Sequence, residues 1–251
     1  MKIVKSLYKL LLPLSWRKFI WKAFWLLVSL KTDYSSKVLF LQDYEAYWDS
    51  RDENNICGLS YKDIIVLCTE EIHDADRVLD FGCGAGTLLC ELSHNRQING
   101  LGLDVSELAV KNAKENGVNA NVFSLEDPDG LIQFGHFDLA ITTEVLEHVQ
   151  QAEMVLIALS KVSDRVLVSI PNTGYIGYRL RLLAGRFPRQ WIIHPAEHVR
   201  FWTCADFKFT AKVTGYEIIK ICGVAGGQLG KWWPSIFAPD LFFILKPIKS
   251  K

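Results

Sequence analysis

The chain has 251 residues, 49% of them hydrophobic, with 28 basic and 28 acidic side chains and no formal net charge. That length and apolar content support a sizeable core in one large domain and exclude wholesale disorder. Zero net charge argues against a polyanion-binding surface, so no nucleic-acid partner is expected.

The charge is unevenly placed. Lys2, Lys5, Lys9, Arg17, Lys18, Lys22 and Lys31 precede the first acid, Asp33, which leaves 21 positives against 28 negatives in the remainder. This basic stretch is also rich in Leu, Trp and Phe. Its longest uncharged runs, Leu10 to Trp16 and Ala23 to Leu30, are seven and eight residues long, far short of the roughly 20 needed to span a bilayer. No small-residue cleavage site follows an apolar core, so a secretory signal is not expected either. Residues 1–54 read as a basic aromatic leader. Trp16, Trp21 and Trp25 with basic neighbours suit the headgroup layer, which would bring residues 1–30 to the inner face of a membrane. The alternative is a helix whose apolar side packs on the domain, since periodicity cannot name the partner surface. The six cysteines are scattered with no Cys-x-x-Cys pair. This fits a reducing, cytoplasmic setting and gives no expectation of a metal site.

From residue 55 onward the pattern becomes regular. Tyr61 to His73 has helical spacing, RVLDFG (Arg77–Gly82) reads as a strand, and Ala85 to His94 as a helix. INGLGLDV follows as a strand. SELAVKNAKENG follows as a helix, with Ser106 as N-cap and Gly117 as stop. NANVFSL (119–125) and FDLAITT (137–143) read as strands, QAEMVLIALSKV as a helix, and DRVLVSIPN as a strand stopped at Pro171. Residues 172–203 break the rhythm and are too long for an ordinary connection. A helix over ADFKFTAKVTG and strands over YEIIKICGV and DLFFILKP complete the chain. Such alternation predicts an α/β fold, a Rossmann-like, mostly parallel sheet with helices on both faces.

Parallel sheets bind ligands beyond the carboxyl ends of their strands, and VLDFGCGAG (78–86) lies at such an end. Its glycines, Gly82, Gly84 and Gly86, follow Gly-x-Gly-x-Gly rather than the dinucleotide spacing, and no Lys-Ser/Thr follows, which excludes a P-loop. The preceding Asp80 would repel a pyrophosphate and suits a cationic end. Asp104, closing the second strand, is placed to accept hydrogen bonds from a ribose diol. A ligand with a ribose, a cation and no pyrophosphate is S-adenosylmethionine. A dehydrogenase fails on glycine spacing and on Asp80.

These residues carry a family resemblance. Asp-x-Gly-x-Gly-x-Gly at the first strand, GLDVS at the second and FDLAITTEVLEHV at the fourth resemble a class I S-adenosylmethionine-dependent methyltransferase over about Asn55 to Pro247. SIPNTGYIGYRLRLLAGRFP and HVRFWTCADF, together with EDPDGLIQFGHFD, are similar to the methionine biosynthesis protein W group. LEHV and the closing WWPSIFAPDLFFILKP look more like methyltransferases of quinones, sugars or lipids.

The resemblance implies a seven-stranded sheet. It implies Asp80 and Gly82 to Gly86 at the methionyl part of the cofactor, Asp104 at the ribose, Glu126 or Asp127 at the adenine, and Thr143 and Glu144 at the methyl end. His148 is then the titratable group nearest the reacting centre. It, or His194 or His198 of the insertion, would act as general base, or else serve as a structural hydrogen-bonding group. His194, His198 and Arg200 would recognise an acidic acceptor or form a solvated lid. Tyr47, Trp48 and Arg51 would close over the cofactor or anchor the first helix. The expected function is methyl transfer, at oxygen, to a small-molecule, sugar or lipid-linked acceptor. The alternative is a non-catalytic S-adenosylmethionine-binding partner that regulates a biosynthetic enzyme. Deleting Met1 to Leu30 is expected to release the protein from anionic liposomes in a flotation assay; an intact chain that never floats with them overturns the interfacial reading.

Overall fold

The computed structural model describes residues 59–124, 128–188, 190 and 197–249. The leader, with Tyr47, Trp48 and Arg51, lies outside the described residues, as do Glu126, Asp127, Trp191 and His194. Eight helices and seven strands follow in order among the described residues. They are α1 (Leu59–Glu71), β1 (Arg77–Phe81), α2 (Thr87–Asn95), β2 (Asn99–Asp104), α3 (Glu107–Glu115), β3 (Ala120–Val122), β4 (Phe137–Thr143), α4 (Ala152–Val162), β5 (Ser163–Pro171), α5 (Ile176–Leu183), α6 (Cys204–Val213), β6 (Tyr216–Val224), α7 (Gly227–Trp232), α8 (Pro234–Phe237) and β7 (Asp240–Pro247). Short 3₁₀ turns cover Pro128–Phe134 and Leu146–His148.

The strands form one sheet in the order β3-β2-β1-β4-β5-β7-β6. β1 to β5 are parallel, and β7 enters antiparallel between β5 and β6. The Rossmann-like expectation therefore holds, with one antiparallel strand, β7, that alternation alone did not foretell. The order reverses between β1 and β4, which opens a crevice at their carboxyl ends.

Period-2 side-chain alternation splits the sheet's apolar residues between two faces. Leu79, Phe81, Val166, Val168, Leu241 and Phe243 pack with α4 and α6. Val78, Leu139, Ile141, Leu167, Phe242 and Ile244 pack with Ile64, Cys68 and Ile72 of α1 and with Leu88, Leu89 and Leu92 of α2. Arg165 on β5 fixes the end of α1, donating to the Glu71 carboxylate at 3.1 Å and its main-chain carbonyl at 2.9 Å. No described helix is long and apolar enough to cross a membrane.

Ser106 caps α3 as expected, accepting from the Ala109 amide at 3.1 Å, and Gly117 ends it at φ 81°. One expectation shifts: the third strand is only Ala120–Val122, because it pairs only with Gly102–Asp104 of β2. The 172–203 segment, too long for an ordinary connection, is partly helical: it contains α5, none of whose side chains is buried.

The PN-T-G stretch is a structural hub. Asn172 is fully buried, and its amide nitrogen donates to the Ala238 carbonyl at 2.8 Å while its Oδ1 accepts from the Gly174 amide at 3.0 Å. Its main chain also bonds to Pro239 and bridges to Trp202. One residue thus ties the end of β5 to the α8 region and to the strand-like start of α6. The His-aromatic-x-x-x-Asp-Phe run has an equally local role: Thr203 and Asp206 form a reciprocal capping box, and Phe207 enters the core. Asn172→Ala leaves several buried main-chain groups unpaired and should cost about 2–4 kcal/mol. The measurement is the thermal unfolding midpoint, expected to fall by roughly 4–16 °C; an unchanged midpoint removes Asn172 from this role.

Candidate functional site

The glycine loop leaves the carboxyl end of β1 in a sharp turn. Gly82, Gly84 and Gly86 all have left-handed backbone, at φ 83°, 54° and 77°. A Cβ on Gly82 would lie 2.3 Å from Val145 Cγ2, and one on Gly86 would lie 2.9 Å from Val118. Two of the three glycines are thus demanded by packing as well as by φ. The loop is stitched to β2: Gly82 and Cys83 donate to the Leu103 carbonyl at 2.7 and 3.0 Å, and Gly84 N–H donates to Asp104 Oδ2 at 2.9 Å. The other oxygen of Asp104 accepts from the Ser106 amide at 3.0 Å. Two main-chain donors therefore set the orientation of that carboxylate at the mouth of the crevice.

Asp80 is 2% exposed. Burial, reinforced by the neighbouring Asp104 carboxylate, pushes its carboxyl up to about 7. A buried acid with a second acid beside it is costly to the fold unless a cationic group meets it. Asp80, Gly82, Gly84, Gly86 and Asp104 are thus brought together at the switch point.

The loop after β4 forms the adjoining wall. Thr143 is half-buried, and Glu144 is held at φ 55°, its Oε1 accepting from the Ser169 hydroxyl at 2.7 Å. Glu147 is 1% exposed; neither carboxylate oxygen accepts from a conventional donor among the described residues, and the Glu144 carboxylate lies within hydrogen-bonding reach of it. Burial, with the nearby Glu144 and Asp240 carboxylates adding to it, holds its carboxyl well above the usual range.

Residues 197–200 are sewn onto this loop. Val199 and Arg200 amides donate to the Glu147 carbonyl at 2.9 and 3.1 Å, and His148 Nδ1 bonds to the Glu197 carbonyl at 2.6 Å. His148 and His198 consequently meet edge to face, with ring centroids 4.8 Å apart. Burial, with His148 alongside, lowers His198 to about 3, so it is neutral at physiological pH and a weak base.

Of the residues named from sequence, His148 and His198 come together, while His194 lies outside the described residues. Arg200 is engaged: it donates to the Gln150 carbonyl at 2.8 Å, pairs with Glu153 and lies over the Trp202 ring at 5.3 Å. It anchors the insertion to α4. Sequence reasoning gave Glu147 no role. Its only signal was an acid inside an apolar run, EVLEHV.

A family model described as methionine biosynthesis protein MetW matches residues 61–243. Ribosomal protein L11 methyltransferase of Neisseria meningitidis serogroup C is 29% identical over 136 residues, which cover 53% of this chain and 43% of that protein. Ubiquinone biosynthesis O-methyltransferase of Brucella anthropi is 28% identical over 127 residues, 47% of this chain and 50% of that protein. The chain thus spans about half the length of these curated relatives. The crystal structure of magnesium protoporphyrin IX methyltransferase from Synechocystis PCC 6803 with bound SAH is similar at a TM-score of 0.55 and 18% identity, over 74% of this chain and 81% of that one. That likeness bears out the fold.

Because Asp80 holds its proton more tightly in the folded chain than in the unfolded one, its contribution to stability is full below about pH 4 and is lost as pH rises through about 7. Asp80→Asn should therefore stabilise the ligand-free protein at about pH 8, by up to about 4 kcal/mol, and give little advantage near pH 4. Urea midpoints of both proteins across that range check it. A constant difference between them, or a wild type that is the more stable at high pH, contradicts the assignment.

Proposed function

The chain belongs to the methionine biosynthesis protein MetW family, and from that premise we propose that it transfers a methyl group from S-adenosylmethionine to a small-molecule, sugar or lipid-linked acceptor, at oxygen. The observation that carries the reading is the pairing of buried Asp80 with Asp104 across a glycine loop at the sheet's switch point. A buried acid whose charge nothing on its own strand neutralises fits a ligand with a cationic amino-acid end. An acid held by two main-chain donors fits a ribose diol. Asp80 and the Gly82–Gly86 main chain would hold the first, and Asp104 the second. Glu126 or Asp127 would meet the base, and Thr143 and Glu144 would flank the reacting end.

When bound, S-adenosylmethionine supplies an activated methyl group with its own leaving group, so the residues need only orient, exclude water and manage a proton. Orientation alone is worth about 7–11 kcal/mol of barrier. The wall formed by Glu147, His148 and His198 would lie beside the reacting end, and the 197–200 segment is bonded across it, with His148 partly exposed. His198, neutral at physiological pH, hydrogen-bonds or ligates there more readily than it accepts a proton. His148, whose Nδ1 is committed to the Glu197 carbonyl, can act there only through Nε2, as a proton acceptor or as a ligand but not as both at once. The ubiquinone O-methyltransferase relatives support oxygen as the accepting atom.

Calorimetric titration with S-adenosylmethionine, S-adenosylhomocysteine and NAD tests the reading. Saturable binding of the first two alone is expected, and Gly84→Arg should abolish it while the protein stays soluble. Unchanged affinity in that variant overturns the cofactor site. Binding without methyl transfer to any hydroxylated acceptor would favour a regulatory partner instead.

A further inference from the structure

Beside the cofactor cradle lies a cluster of potential ligand atoms. Glu147 is buried, with neither carboxylate oxygen accepting from a conventional donor among the described residues and Glu144 close by, and His198 is 9% exposed with an unpartnered Nδ1. Leaving such groups dry and unpaired costs on the order of 1–3 kcal/mol each, a cost that a bound cation would offset. We propose that Glu147, His148 and His198 bind one divalent first-row transition-metal cation, such as zinc or manganese, with open positions for oxygen ligands from the acceptor.

Three features support this. The first is spacing. One donor atom from each residue falls within 4.8 Å of the others, and His148 Nε2 stands 4.0 Å from Glu147 Oε1. Bonds of about 2.0–2.2 Å put ligand atoms roughly 3–4.4 Å apart, so a small side-chain rotation closes the site. The second is orientation. The Glu197 carbonyl can only accept, so His148 Nδ1 carries a proton, and in the neutral ring the lone pair is on Nε2. A metal-binding imidazole is characteristically fixed in this way, by a main-chain carbonyl on its far nitrogen. The third is charge. Glu144 and Asp240 lie near Glu147, so the wall is acidic with no described lysine or arginine bonded to Glu147.

Two imidazoles and one carboxylate suit zinc, iron or manganese better than magnesium or calcium, which prefer all-oxygen sites. Three protein ligands leave coordination positions open, the mark of a catalytic rather than a structural centre. An acceptor bearing a hydroxyl, or two adjacent hydroxyls, would complete the sphere next to the cofactor's methyl end. The assignment of the open positions rests on the methyl-transfer reading; the cation site itself does not.

The test uses the full chain, stripped with chelator and titrated with Zn2+ and with Mn2+ alone. One ion per chain is expected, and pulsed EPR of the Mn2+ form should show coupling to imidazole nitrogens. Glu147→Gln and His198→Asn should each weaken binding about tenfold or more. Both variants should remain folded in chelator by circular dichroism, and should keep wild-type affinity for S-adenosylhomocysteine. Absence of stoichiometric binding by either ion, or unchanged affinity in both variants, overturns the cation site. Loss of S-adenosylhomocysteine binding by wild type would instead strike the methyl-transfer reading and leave the cation result standing.

Discussion

The bond from Gly84 N–H to Asp104 Oδ2 holds the carboxyl rim of this sheet together. It joins a loop that has just left β1 to the last residue of β2, and it does so only because the loop turns through three left-handed glycines. With Gly82 and Cys83 both bonded to the Leu103 carbonyl, the loop's amides and the two acids occupy fixed relative positions before any ligand arrives. Such preorganisation lowers the ordering cost of binding. It also explains why Val145, which fills the space over Gly82, belongs to the same unit: the β4 loop cannot move without opening the glycine turn.

That rim concentrates negative charge where the fold would be more stable without it. Asp80, Asp104 and Glu147 are each less than 5% exposed. Asp104 accepts from two main-chain amides and Asn172 has its polar atoms bonded on every side, whereas Asp80 and Glu147 are buried beside other carboxylates. The contrast separates polar residues that build the fold from polar residues that await a partner. Sites under functional demand commonly sit at such a local cost, offset by the packed sheet beneath. Here the offset comes from two apolar faces that run uninterrupted through β4, β5 and β7.

The sequence resemblance and the geometry inform each other unequally. The Asp-x-Gly-x-Gly-x-Gly and GLDVS stretches were legible because the chemistry of a strand end and a glycine turn is local. The PN-T-G and His-aromatic-x-x-x-Asp-Phe stretches carried an equally distinctive pattern, yet their roles are a buried hydrogen-bond hub and a helix cap. A motif by itself does not say whether it serves ligand or fold; the partners of its polar atoms do. Arg200 makes the same point from the other side, since a basic residue in an insertion proved to be fully engaged with Gln150, Glu153 and Trp202.

Local sequence determined the strand and helix series, the cap at Ser106, the stop at Gly117 and the acids Asp80 and Asp104 at the strand ends, because periodicity, capping and turn chemistry act within a few residues. Only tertiary structure decided the antiparallel insertion of β7 between β5 and β6, since pairing partners are chosen by faces that must be buried together. It alone brought His198 to Glu147 and His148, some fifty residues away, through the main-chain bonds of Val199 and Arg200 to Glu147. Glu147 was written in the chain as an acid in an apolar run. Its lack of a conventional donor exists only once the sheet, the 3₁₀ turn and the returning segment have closed around it.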